Sequence, residues 1–104
     1  MARAACRKDD NHELIATTLR SLGWRVIESW QFAQYHAGFP DLIAVHGKTV
    51  LFVEVKTAHG RLTPAERIFA LEYADCWALL CTEDDALRLT EQVLQCRAAG
   101  GDRP

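Results

Sequence analysis

Two hydrophobic periods divide the chain. In "DNHELIATTLRSL" (10–22), Leu14, Ile15, Thr18, Leu19 and Leu22 recur at helical spacing, with Asp10 as N-cap and Gly23 as the stop, which predicts an amphipathic helix. "WRVIESW" (24–30) is rich in β formers and predicts a strand, whereas "QFAQYHAG" (31–38) has no clean period and predicts a loop. "DLIAVHGKTVLFVEVKT" (41–57) reads as two apolar strands around a tight turn. "LTPAERIFALEYA" places Thr63, Pro64 and Glu66 as N-cap, first helical residue and capping-box partner of a second helix running to Tyr73. "CWALLCT" (76–82) predicts a short buried strand, and "EDDALRLTEQVLQCRAA" (83–99) a helix with acids in its first turn. The predicted order is α-β-β-β-α-β-α, a mixed sheet with helices packed on it.

The hairpin carries charges where its pattern calls for apolar residues. Strand residues alternate faces, so Glu54 and Lys56 share one face with Val50 and Phe52, while Leu51, Val53 and Val55 form the other. This predicts a central strand buried on both sides. If Gly47 and Lys48 form a two-residue turn, residue 46 pairs with 49 and Asp41 falls across from Glu54. Opposed side chains there have Cβ atoms roughly 4.5–5.5 Å apart, and two like charges destabilise each other unless a cation neutralises them. Hard oxygen ligands without His or Cys suit Mg²⁺ or Mn²⁺. Beside a phosphate, Lys56 can orient water or stabilise developing negative charge; alternatively it snorkels from a strand end and pairs with Glu54.

A chain of 104 residues accommodates one core, read as a flexible basic N-terminus over 1–9, a single domain over 10–99 and a disordered tail over 100–104. The formal charge is −2, yet residues 1–62 hold eight basic and six acidic residues and residues 63–104 four and eight. This balance argues against a nonspecific nucleic-acid coat while permitting a local basic groove. Cys6, Cys76, Cys81 and Cys96 form no C-x-x-C pair and read as reduced and structural. "MARAACRKDDNHE" lacks a following apolar stretch and no run is long enough for a bilayer, so the expectation is a cytoplasmic, intracellular protein with no membrane association.

Pro40-Asp41 followed after a hairpin by Glu54-Val55-Lys56 resembles the PD-(D/E)XK nuclease signature. The flanks "GFPD", "FVEVKT" and "GRLTPAE" are similar to its compact VRR-NUC branch, over roughly residues 10 to 82. The resemblance implies a restriction-endonuclease-like αβββαβ core with a C-terminal helix and Mg²⁺- or Mn²⁺-dependent hydrolysis of DNA phosphodiesters. It implies Asp41, Glu54 and Lys56 as the catalytic set, with the Val55 carbonyl as a further metal ligand. It also implies a phage-type homodimer, in a phage or bacterial-host setting, acting on branched DNA such as Holliday junctions. Two symmetric cuts need a two-fold axis, which an isologous dimer supplies. The alternatives are a nonspecific nickase or flap nuclease, and a non-catalytic DNA-binding module of the same fold.

Other residues carry two readings each. Glu13 occupies the place of the first-helix acid that supports the metal in the resemblance, or simply favours the helix start. Glu66 stands where VRR-NUC proteins usually show Gln, and either supports the site or only caps its helix. Arg7, Lys8, Arg61 and Arg67 are phosphate-contact candidates or solvated charges. His12, His36, His46 and His59 read as surface or turn residues, with His36 the one closest to Pro40 as a DNA-contact candidate. Tyr35 and Phe39 either stack on a base or join the core; Trp30, Phe32 and Tyr35 either anchor the dimer or finish the monomer's own core.

Overall fold

The computed structural model describes residues 8–100; Cys6, Arg7 and the tail 101–104 lie outside the described residues. The predicted order is found: α1 (His12–Ser21), β1 (Arg25–Glu28), β2 (Leu42–His46), β3 (Thr49–Val55), α2 (Pro64–Glu72), β4 (Trp77–Leu80) and α3 (Glu83–Ala98). The strands form one sheet in the order β1-β2-β3-β4, with β1–β2 and β2–β3 paired antiparallel and β3–β4 parallel. This mixed α/β architecture, flanked by helices and closed by α3, is compatible with a restriction-endonuclease-like core. No helix among the described residues is long and apolar enough to cross a membrane.

The hairpin register is the one the turn dictates. Gly47 takes φ +62° and His46 pairs with Thr49, so the ladder runs to Leu42 opposite Val53. Arg97 of α3 clasps this turn, donating to the His46 carbonyl and, at 3.0 Å, to Thr49 Oγ1. At the other end of α1, Gly23 adopts φ +98° and its N–H bonds to the Arg20 carbonyl while that of Trp24 bonds to Leu19, a Schellman closure.

One sheet face, bearing Leu42, Ala44, Val53, Val55 and Leu80, is buried with Ile15, Ala16 and Leu19 of α1 and Ala86 of α3. Truncating a buried leucine such as Leu19 to Ala costs about 2–5 kcal/mol in such a core. The opposite face is covered only near α2, where Phe39, Phe52, Phe69 and Tyr73 meet in a chain of ring contacts with centroids 4.6–6.0 Å apart. The strand predicted to be buried on both sides is so only in its second half: Val53, Glu54 and Val55 are buried, whereas Val50 is half exposed.

Several local expectations are corrected. α1 starts at His12 with Asn11 at the N-cap, instead of Asp10, and its buried face is His12, Ile15, Ala16 and Leu19, leaving Leu14 half exposed. His12, expected at the surface, is 1% exposed, because its ring turns inward to meet Glu28 of β1 at 2.7 Å. His46 is partly buried against the Trp24 ring, while His36 and His59 are exposed as expected. The first strand is shorter than 24–30, and Trp30–Gln34, spanning the last residue of the expected strand and the start of the expected loop, forms a 3-10 helix.

Candidate active site

The register that pairs Leu42 with Val53 puts Asp41 and Glu54 side by side just beyond the last rung, on the face that α2 covers. Asp41 replaces that next rung with its side chain: Oδ2 accepts the Val55 N–H at 2.8 Å. The Asp41 carbonyl in turn accepts the Ser29 N–H at 2.9 Å, tying the segment to the end of β1. Glu54 is 2% exposed, and among the described residues no partner meets its Oε1. Lys56 Nζ lies 3.9 Å from Glu54 Oε2 and 2.9 Å from Glu66 Oε1.

These side chains open on a cavity of about 160 Å³ that Asp9, Asp41, Glu54, Val55, Lys56 and Glu66 line on its polar side. Trp30, Ala33 and Phe39 wall the apolar side, and Thr63 stands at the start of α2. Glu66 is placed there by the capping box: Thr63 Oγ1 accepts the Glu66 N–H at 3.1 Å and Glu66 Oε1 accepts the Thr63 N–H at 2.8 Å. Capping and contact with Lys56 are therefore simultaneous properties of one carboxylate. Gly38, at φ +86°, lets the preceding turn lie against the Ala65 carbonyl, which an added Cβ would approach to 2.4 Å.

The electrostatics follow from burial and crowding. Burial pushes the Asp41 carboxyl up, against the lowering effect of the Val55 N–H. Glu54 is pushed up to about 10, by burial first and then by the charge of Asp41 and the hydrogen bond shared with it. Burial opposes the charge on Lys56, but the hydrogen bond that Lys56 donates to Glu66 and the charges of Glu66 and Glu54 outweigh it and hold the ammonium above its usual range. At neutral pH the acid pair thus retains a proton beside a fixed cation. A divalent cation taking that proton's place would relieve the repulsion and give Glu54 Oε1 a partner, so the donor set fits a hard metal ion.

The chain is similar to proteins called UPF0102. The relative from Thermotoga neapolitana is 39% identical over 56 residues, which is 54% of this chain and 50% of the relative. Those from Thermotoga petrophila and Thermotoga maritima are 36% identical over the same share of each chain. The chain spans about half the length of the curated relatives it matches. No family model matches it, and no solved structure does.

The structure gathers Asp41, Glu54, Val55, Lys56 and Glu66 at one cavity and leaves other candidates outside it. Glu13, expected to support the metal shell, does not line the cavity; its carboxylate is 66% exposed and pairs with Lys8 at 2.7 Å. With His12 and Glu28 it forms a separate group whose ligand atoms all lie within 4.8 Å of one another and could hold a metal ion. Lys8 also lies over the Trp30 ring, 5.4 Å from its centroid. Arg61 and Arg67 are exposed and do not line the cavity. His36, also exposed, lines a neighbouring groove with Tyr35, Phe69 and Tyr73. Phe39 and Trp30 serve as cavity walls, while Phe32 and Tyr35 remain exposed. Asp9 and Ala33 are the lining residues that the sequence pattern does not single out, and Thr63 stands out there only as a helix cap; an acid just before a helix start reads as dipole complementation and gives no other signal.

Proposed function

We propose that this chain is a metal-dependent endodeoxyribonuclease of the PD-(D/E)XK type that hydrolyses phosphodiesters with Mg²⁺ or Mn²⁺. The observation that carries the reading is the Asp41–Glu54 pair, Glu54 buried and Asp41 partly buried, with an unpartnered Glu54 carboxylate oxygen and Lys56 at 3.9 Å, at the floor of an open cavity. Asp41, Glu54 and the Val55 carbonyl would hold the cation. When bound, it supplies Lewis-acid activation of the phosphodiester and of water. Asp41 is held in place by the Val55 N–H, so its other oxygen keeps one direction. Lys56, fixed by Glu66, presents its positive charge where negative charge builds up on the phosphoryl oxygens. Trp30, Ala33 and Phe39 exclude water from one side.

The substrate and assembly are proposed on the resemblance: branched DNA such as a Holliday junction, cut by a homodimer. A half-exposed sheet face with Ile27, Val50 and Leu79, and α2 with Ile68 and Leu71 exposed, leave apolar area for a second copy. The relatives' name, UPF0102, differs from that of the VRR-NUC branch, so the common PD-(D/E)XK chemistry is the level at which the reading is held. Incubating the protein with linear, nicked, flapped and four-way DNAs, with Mg²⁺, Mn²⁺ or chelator, tests it. Cleavage that requires the metal and favours four-way DNA is expected, with light scattering showing a dimer. Single nicks in every substrate would favour the nickase, and binding without cleavage the non-catalytic module.

A further inference from the structure

Asn11 occupies the N-cap of α1, a position its residue type fills by bonding the first-turn N–H groups, yet its side chain makes no such bond. Its amide Nδ2 instead donates to the Lys56 carbonyl at 3.0 Å and the Cys81 carbonyl at 2.7 Å. These carbonyls lie just past the ends of β3 and β4, where the Lys56 N–H still bonds to the Leu80 carbonyl at 3.2 Å. Asn11 thus bolts the segment entering α1 across the ends of two parallel strands. Two residues upstream, the Asp9 carbonyl accepts the His12 N–H at 3.0 Å, which fixes the turn that carries Asp9.

The consequence is that Asp9 lines the cavity together with Asp41 and Glu54. Glu54 Oε1, in a side chain almost wholly buried, is the unpartnered acceptor of the same cavity. Glu13 does not line this cavity and is engaged with Lys8.

We propose that Asp9, rather than Glu13, is the third carboxylate serving the divalent cation, directly or through its water, and that Asn11 is the positioning residue that sets it there. This rests on the metal-dependent reading above. A third negative oxygen donor raises affinity for a hard cation, and removal of a group orienting the metal's ligands or waters typically costs about 10–100-fold in affinity.

Mn²⁺ binding to the full chain, followed by the electron paramagnetic resonance of free Mn²⁺, decides it without any cleavage assay. Asp9→Asn is expected to weaken binding at least about tenfold, and Asp9→Ser likewise; Asn11→Ala weakens it with Asp9 intact; Glu13→Gln binds as wild type. Far-UV circular dichroism checks that each variant is folded. Asp9→Asn and Asp9→Ser binding at wild-type affinity, while Asp41→Asn loses it, overturns the assignment of Asp9 and leaves the metal reading standing. A wild-type chain that binds no Mn²⁺, or an Asp41→Asn chain that binds it as well as wild type, overturns both.

Discussion

Lys56 Nζ lies 2.9 Å from Glu66 Oε1, and that same oxygen accepts the Thr63 N–H at 2.8 Å. One carboxylate therefore closes the start of α2 and anchors the cation of the site. Glu66→Gln keeps a capping-box partner but removes the charge, so stability is expected to change by no more than about 0.5 kcal/mol while turnover falls about tenfold. Glu66→Ala loses both and costs about 1 kcal/mol in addition. Denaturant melts and steady-state cleavage rates separate the two effects; undiminished turnover in Glu66→Gln would reduce Glu66 to a cap.

The acid pair makes the metal-free protein sensitive to pH in a defined direction. The folded-state pKa of Glu54 is raised from 4.5 to about 10, so the folded state holds a proton that the unfolded chain releases. Stability is therefore unaffected by this group below about pH 4.5 and falls as pH rises toward about 10. Thermal melts in chelator across this window should show that decline, with Glu54→Gln flattening it. Asp85 acts oppositely: the Cys81 N–H, 2.9 Å from its Oδ2, leads the interactions that lower its pKa, so its contribution is present above about pH 3.8 and lost on further acidification. Asp85→Ala should lessen the acid sensitivity of the melt.

Gly38 sets the wall of the cavity. At φ +86°, with a Cβ position 2.4 Å from the Ala65 carbonyl oxygen, it admits no side chain without displacing α2 or the Phe39 turn. Gly38→Ala is expected to cost about 1 kcal/mol or more in denaturant melts and to weaken the Phe39–Phe69 contact. An unchanged melt would mean that the turn and α2 are not held together as described.

What the sequence disclosed depended on whether the governing interaction was local. Gly47-Lys48 fixes the hairpin within two residues, and strand alternation then places Asp41 beside Glu54, so that geometry could be read directly. The Thr63–Glu66 box is equally local. Asn11 is the opposite case: its partners are 45 and 70 residues away, so a residue that reads as a helix cap serves as a tertiary tether. The burial of His12 likewise depends on Glu28, on a strand whose register no local signal specifies. Glu13 matches a first-helix acid only by analogy, and the N-cap lies one residue later than Asp10, at Asn11, with Asp9 lining the cavity instead.

The most direct test of the central claim is incision of a four-way DNA in Mg²⁺ by wild type, Asp41→Asn and Lys56→Ala, with DNA binding measured on the same preparations. Removing one carboxylate of the pair weakens the cation site and reduces repulsion from phosphates, so Asp41→Asn should bind DNA at least as well as wild type and leave it uncut. Lys56→Ala should bind metal and DNA yet fail to turn over. Asp41→Asn cutting at the wild-type rate would contradict the account.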